Sequence, residues 1–221
     1  MRIAVIADIH SNLDALEAVL SALSRTRIDR YVCVGDVVVA GNHDWAVAGR
    51  LSMEFFNAYA RQAIVWTRER IGAEDLRWLH DLPLQADVDG LFALVHATLH
   101  NPAAFDYLLT SYDAHLSMEV LERPLCFVGH SHIPITFTER DGLGFTFADS
   151  IDLTKVKKAI VNPGSVGQPR DENPDAGYAI YDTVKRKVTL HRAPYDIDAC
   201  CAKIEQAGLP QVLADRLRVG K

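Results

Sequence analysis

The sequence predicts an α/β fold, with strands alternating with helices in its first half and hairpins gathered in its second. Three observations carry this. Apolar runs at residues 2–7, 31–35, 91–95 and 125–128 have the length of strands and too little polarity for a solvated face. After the first run, Leu13, Leu16, Leu20 and Leu23 return at helical spacing. Beyond residue 130 the runs come in pairs about turn residues, with Asp141-Gly142 between residues 135–139 and 143–147.

Taken in order, residues 2–7 form a strand and the leucines after it a helix. Residues 31–35 form a second strand. Phe55, Tyr59, Ala63 and Trp66 mark one face of a further helix, and residues 75–80 a shorter one that Pro83 prevents from extending. The runs at 91–95 and 125–128 are buried strands. Residues 159–161 precede an Asn162-Pro-Gly turn, and the runs 178–181 and 188–191 flank a polar Lys-Arg-Lys turn. A last helix over 197–207 stops at Gly208, which can take the left-handed conformation beyond a helix end.

At 221 residues, 49% apolar and 24% charged, the chain has the profile of one soluble domain spanning 1–221. Its net charge of −6 and the absence of a basic run argue against a nucleic-acid polymer as partner. The first run is too short for a signal-peptide core or a membrane span, so no membrane partner and a cytoplasmic location are expected. The four cysteines, Cys33, Cys126, Cys200 and Cys201, lack metal-binding spacing and fit reduced thiols.

The polar residues stand where chemistry is expected. Asp8 and His10 follow the first strand, Asp36 the second, and His96 the run 91–95. Asn42, His43 and Asp44 follow Gly41, while His130 and His132 follow Gly129. In an open α/β sheet the crevice at the carboxyl ends of strands is where ligands bind. A lone Asp there is usually a cap and a lone His a packed side chain, which is the reading for His80, His100, His115 and His191. Five clusters together are too costly to desolvate without a compensating ion. Imidazole and oxygen donors without thiolate suit Mn²⁺ first, with Fe, Ni, Co or Zn²⁺ as alternatives, and the donor count calls for two ions. Such a pair would share a carboxylate and a water whose lowered pKa makes hydroxide available.

These motifs, Asp8-Ile-His10, Gly35-Asp36, Gly41-Asn42-His43-Asp44, His96 and Gly129-His130-Ser-His132, resemble those of the calcineurin-like metallophosphoesterases across nearly the whole chain. The stretch Asn162-Pro-Gly-Ser-Val-Gly-Gln-Pro-Arg170 is similar to a late motif of the small bacterial phosphodiesterases and diadenosine-tetraphosphatase-like proteins in that family. The resemblance implies a four-layer αββα sandwich of two mixed sheets flanked by helices. It also implies that Asp8, His10, Asp36 and His132 hold one metal and Asp36, Asn42, His96 and His130 the other, with Asp36 shared. His43 would stabilise phosphoryl charge or protonate the leaving oxygen, with Asp44 orienting it. The implied activity is hydrolysis of a small phosphate ester, most simply a diester, by a dimetal-bridging hydroxide. A phosphoprotein phosphatase, a dinucleoside polyphosphate hydrolase or a non-catalytic scaffold of the same fold remain as alternatives.

Ser165 and Arg170 could reach a phosphate, Arg by a two-pronged contact, although the turn alone explains Asn162-Pro-Gly. Trp45, Trp66 and Trp78 read as packing residues. Two departures from the family stand out. His96 is followed by Ala-Thr-Leu where many relatives have Gly-Ser-Pro, and only five residues separate Asp36 from Asn42. A parallel crossover needs a dozen or more. Either a loop and helix of roughly twenty residues belongs between Val38 and Val39 and is missing from the chain as written, or the connection is truly short and Asn42 reaches the site on a loop, six residue steps spanning at most about 20 Å.

Overall fold

The first strand, β1 (Arg2–Ala7), is buried along all but its first residue and pairs on one side parallel with β2 (Arg30–Val34). The computed structural model describes residues 1–35 and 38–221. On its other side β1 lies antiparallel to β10 (Ala176–Asp182), which continues into β11 (Lys187–Ala193) and then β8 (Ser150–Asp152). This five-stranded sheet has the order β2-β1-β10-β11-β8.

A six-stranded sheet faces it. Its order is β3 (Gln85–Val88), β4 (Phe92–Val95), β5 (Leu125–Phe127), β9 (Lys158–Asn162), β6 (Ile135–Glu139) and β7 (Leu143–Thr146). β4, β5 and β9 run parallel and the flanking pairs antiparallel, so both sheets are mixed. The core between the sheets joins Ile3, Val5, Val32 and Val188 from one to Phe92, Leu94, Phe127 and Val161 from the other. Phe92 meets Phe127 edge to face at 5.2 Å, an arrangement the ring quadrupoles favour.

Each outer face is covered by a helix. α1 (Leu13–Ser24) lies on the first sheet, where Ala15, Val19 and Leu23 pack with Ala4, Ile6 and Cys33. α5 (Ser111–Val120) lies on the second, with Ala114 and Met118 against Cys126 and Ile160. Helix, sheet, sheet and helix make the four layers expected. α2 (Asn42–Val47), α3 (Ala58–Arg68) and α4 (Ala73–Asp81) form a separate small cluster around Ile64, Leu79 and Val47. α6 (Ile197–Gln206) and α7 (Gln211–Val219) pack on each other through Cys200, Cys201, Ala214 and Leu217. All four cysteines are buried thiols, and among the described residues no helix is long and apolar enough to cross a membrane.

The expected helices exist, but with other faces inward. Leu13 and Leu20 are exposed, and so are Phe55 and Tyr59. α1 approaches the sheet through Ala15 and Val19, because a small residue lets the helix axis come closer than a row of leucines would. Among the described residues the connection after β2 adds no further strand to the sheet before α2. Val39 makes only an isolated parallel bridge to Val34, Ala40 donates to the Pro83 carbonyl at 2.8 Å, and Gly41 caps α2. Asn42 therefore opens a helix rather than ending a strand. The loop and helix considered between Val38 and Val39 adjoin residues 36–37, which lie outside the described residues.

Candidate metal centre

Asp8 is 1% exposed, at the end of β1 where the chain turns out of the sheet. Its carboxylate accepts the His130 backbone N–H at 3.0 and 3.2 Å, one contact to each oxygen, tying β1 to the end of β5. Its own carbonyl is held twice, by the Ser165 hydroxyl at 2.8 Å and the Gly167 N–H at 3.0 Å. Around it, ligand atoms of Asp8, His10 and His132 lie within 4.8 Å of one another. The His132 Nε2 stands 3.4 Å from Asp8 Oδ1, and the His96 Nδ1 3.9 Å from the same oxygen. The His96 and His130 rings are 5.0 Å apart.

The backbone here is held against its preference. Asp8, His10, His130 and His132 have φ of 53°, 50°, 66° and 61°, in the left-handed region that disfavours residues with a side chain. Each such residue costs on the order of 1–3 kcal/mol, and they persist where the surroundings over-determine them. Helix caps and turns do not require this concentration. Gly129 supplies the remaining space, since a Cβ there would stand 2.6 Å from Asp8 Oδ2.

Two of the imidazoles, His10 and His130, are held neutral. Burial, with His132 and Arg170 as neighbours, pushes His130 down to about 3, against an opposing hydrogen bond to the Phe105 backbone. Burial and neighbouring His132 likewise hold His10 well below the ordinary range. Burial raises Asp8, opposed chiefly by His96 and by the His130 backbone N–H. The His132 Nδ1 lies 2.7 Å from the Gln168 carbonyl, which can only accept, so Nδ1 carries the proton and Nε2 keeps its lone pair. That Nε2 is 3.0 Å from the His10 Nε2. Imidazole nitrogens and a carboxylate converging in this space are donors suited to a divalent metal ion, so the residues present fit such an ion.

Of the other residues singled out, Asp36 lies outside the described residues. Asn42 is half-buried at the first position of α2. His43 meets His10 edge-on at 4.9 Å and Phe56 at 4.9 Å, so it sits between the candidate ligands and an apolar ring. Asp44 is buried and its carboxylate accepts the Gly41 N–H at 2.6 Å, anchoring the start of α2. Ser165 departs from the phosphate contact proposed for it. It is fully buried, with its hydroxyl donating to the Asp8 carbonyl and accepting from the Gln168 N–H, so it positions Asp8 and Gln168. Arg170 is half-buried, bonded from its N–H to the His132 carbonyl at 3.3 Å and from Nη2 to Gln168 at 3.0 Å. Trp45 packs edge-on to Phe105 at 5.6 Å under the Arg50 guanidinium.

Three contributors escaped the sequence reading. Tyr107 stacks on His130 with centroids 4.3 Å apart, Phe105 stands beside both His96 and His130, and Gln168 fixes the His132 tautomer through its carbonyl. A backbone carbonyl has no residue-type signal. Phe105 and Tyr107 occupy a stretch without periodicity, in which Phe105 itself takes φ of 53°.

The model of the calcineurin-like phosphoesterase superfamily domain matches residues 1–186. An uncharacterized protein of Methanocaldococcus jannaschii is 38% identical over 242 residues, covering 99% of this chain and 98% of that protein. That alignment is 21 positions longer than the 221 residues here, so the relative carries sequence that this chain lacks. The crystal structure of a metallophosphoesterase from Sphaerobacter thermophilus has a TM-score of 0.87 at 38% identity, covering 100% of this chain and 99% of that one. A hypothetical protein from Pyrococcus horikoshii OT3 shares the fold, with a TM-score of 0.79 at 21% identity, covering 100% of this chain and 98% of that one.

Proposed function

The chain belongs to the calcineurin-like phosphoesterase superfamily, and from that premise we propose that it is a hydrolase of small phosphate esters, diesters foremost, working with two divalent transition-metal ions. The observation that carries the reading is the convergence of Asp8, His10 and His132, with burial holding the His10 pKa well below its ordinary range. Asp8, His10 and His132 would hold one ion, Asn42, His96 and His130 the other, and Asp36 both. The chemistry such ions supply when bound is neutralisation of phosphoryl charge and ionisation of water near neutral pH.

The chain's own residues do the rest. Gln168 keeps the His132 proton on Nδ1, leaving Nε2 as a donor of electron pairs. Phe105 and Tyr107 cover His96 and His130 and keep bulk water from that side, which strengthens every electrostatic contact within. His43, beside His10 and outside the convergent group, holds the proton for the departing oxygen or stabilises charge on the phosphoryl group. Arg170 adds positive charge near Asp8, where a substrate phosphate would lie.

The test is a hydrolysis panel of bis-aryl and mono-aryl phosphates, cyclic nucleotides, dinucleoside polyphosphates and a phosphopeptide, run with Mn²⁺, Ni²⁺ and Zn²⁺ separately. Metal-dependent release from at least one small ester, abolished by chelation, is expected. No turnover with any metal, in protein carrying two ions by elemental analysis, would overturn it.

A further inference from the structure

The loop between β4 and α5 presents one ring that is held on one side and open on the other. Phe105 and Leu108 are buried and fix this loop to the body of the domain. Further along, the Leu109 and Thr110 N–H groups donate to the Asp113 carboxylate at 3.2 and 2.9 Å, which joins the loop to the first turn of α5. Tyr107, between these anchors, lays its ring on His130 with centroids 4.3 Å apart and planes 16° from parallel. It is nevertheless 49% exposed, so the part of the ring turned away from His130 meets solvent. Shielding of the imidazole does not account for this, because a ring that serves only to exclude water is itself buried, as Phe105 is at 6.4 Å from the same imidazole. The mounting also matters. A ring already held in place loses little further freedom when a second ring stacks on it.

We propose that the outer face of Tyr107 is a stacking platform for a flat aromatic group of the substrate, making aryl or nucleobase-bearing phosphate esters preferred over aliphatic ones. This rests on the phosphoesterase reading and narrows it. An imidazole nitrogen stands about 2 Å from an ion it holds, so a phosphoryl group on the ion of His130 carries its organic substituent past the ring stacked on that histidine. Offset stacking suits the pairing, because the quadrupoles of two flat rings favour it and an aliphatic group offers no such complement. Tyr107 is therefore a specificity-determining residue, one that selects what the phosphate is attached to and leaves the bond cleaved unchanged.

The experiment is calorimetric titration of the Mn²⁺-loaded protein with methylphosphonate, phenylphosphonate and an adenine nucleoside phosphonate. Their carbon–phosphorus bonds resist hydrolysis, so binding is read without turnover. The wild type should bind at least one of the aromatic ligands about tenfold more tightly than methylphosphonate, the scale of one stacked ring with its burial. Phenyl joined directly to phosphorus and adenine on its longer arm distinguish an aryl ester from a nucleotide as the group served. Tyr107→Leu, apolar and flexible, should reduce the ratio to about twofold, while Tyr107→Phe, which keeps the ring, should retain it. A ratio of affinities is unmoved by a general loss of metal or stability in either variant. No aromatic preference in the wild type, or a ratio unchanged by Tyr107→Leu, would overturn the platform and leave Tyr107 as a cover for His130. No phosphonate binding by protein carrying two ions would overturn the phosphoesterase reading as well, so the two failures are distinct.

Discussion

Gly129→Ala adds one methyl group and should disable the metal centre. The backbone there lies outside the left-handed region, so alanine meets no conformational objection, and the effect is steric. Its Cβ would stand 2.6 Å from Asp8 Oδ2, against an ordinary contact of 3.4 Å or more, and 3.3 Å from the Ala7 Cβ. The Asp8 oxygen must retreat by about 0.8 Å, and its hydrogen bond from the His130 N–H, 3.0 Å long, is stretched with it. Overpacking of this kind costs about 1–3 kcal/mol, or several degrees of melting temperature in a domain this size. A ligand displaced by most of an ångström costs on the order of 10² in turnover. Elemental analysis after dialysis, kcat on the best ester and thermal melting measure the three effects. Gly144→Ala, where a Cβ meets nothing within 4 Å, is the control. Wild-type metal content and turnover in Gly129→Ala would show that Asp8 is not held where the argument needs it.

Further outcomes follow from the same contacts. His43→Ala should retain both metals and lose roughly 10²–10⁴ in kcat, less for esters with acidic leaving groups; loss of metal would make it a ligand instead. Ser165→Ala leaves the buried Gln168 N–H and the Asp8 carbonyl short of a partner, so stability should fall by about 1–3 kcal/mol with KM little changed, whereas a rise in KM at full stability would restore Ser165 as a substrate contact. For metal-free protein, His130 is neutral when folded, its pKa near 3 against an ordinary 6.5, so its contribution is intact above about pH 6.5 and lost as pH falls toward 3. Between pH 7.5 and 5.5 this removes about 1.4 kcal/mol for each such histidine, seen as a falling urea midpoint that His130→Gln should flatten.

The sequence disclosed the strands because burial on two faces leaves an apolar run that no surface element carries, as in residues 91–95 and 125–128. It disclosed α1 but not its orientation: Leu16 and Leu23 fit the stripe, yet Ala15 and Val19 decide how close the helix lies. α5 was illegible because Ala114, Ser117 and Met118 form its buried side without a continuous apolar stripe. The short strand β8 has only Ile151 to mark it. In the site, titratable residues at strand ends were legible because their chemistry is unusual there. The parts that orient them were not, since the Gln168 carbonyl and Gly167 N–H act through the backbone, and Ser165 was legible as polar but not as buried.

The Asn162-Pro-Gly-Ser loop shows why those unseen parts matter. Asn162 donates to the Gly129 carbonyl and the Ser131 hydroxyl, Ser165 and Gly167 hold the Asp8 carbonyl, Gln168 holds the His132 ring and Arg170 the His132 carbonyl. One loop thus grips the backbone at the ends of β1 and β5, where Asp8, His130 and His132 are strained. Each bond contributes about 1 kcal/mol net and each strained residue costs on the order of as much or more, so the loop roughly offsets the strain without exceeding it. A brace of that size keeps the ligands convergent before any ion arrives. The inter-sheet core ends at Ala7 and Phe127, just short of Asp8 and His130, so it is the loop rather than the core that holds these two residues in place.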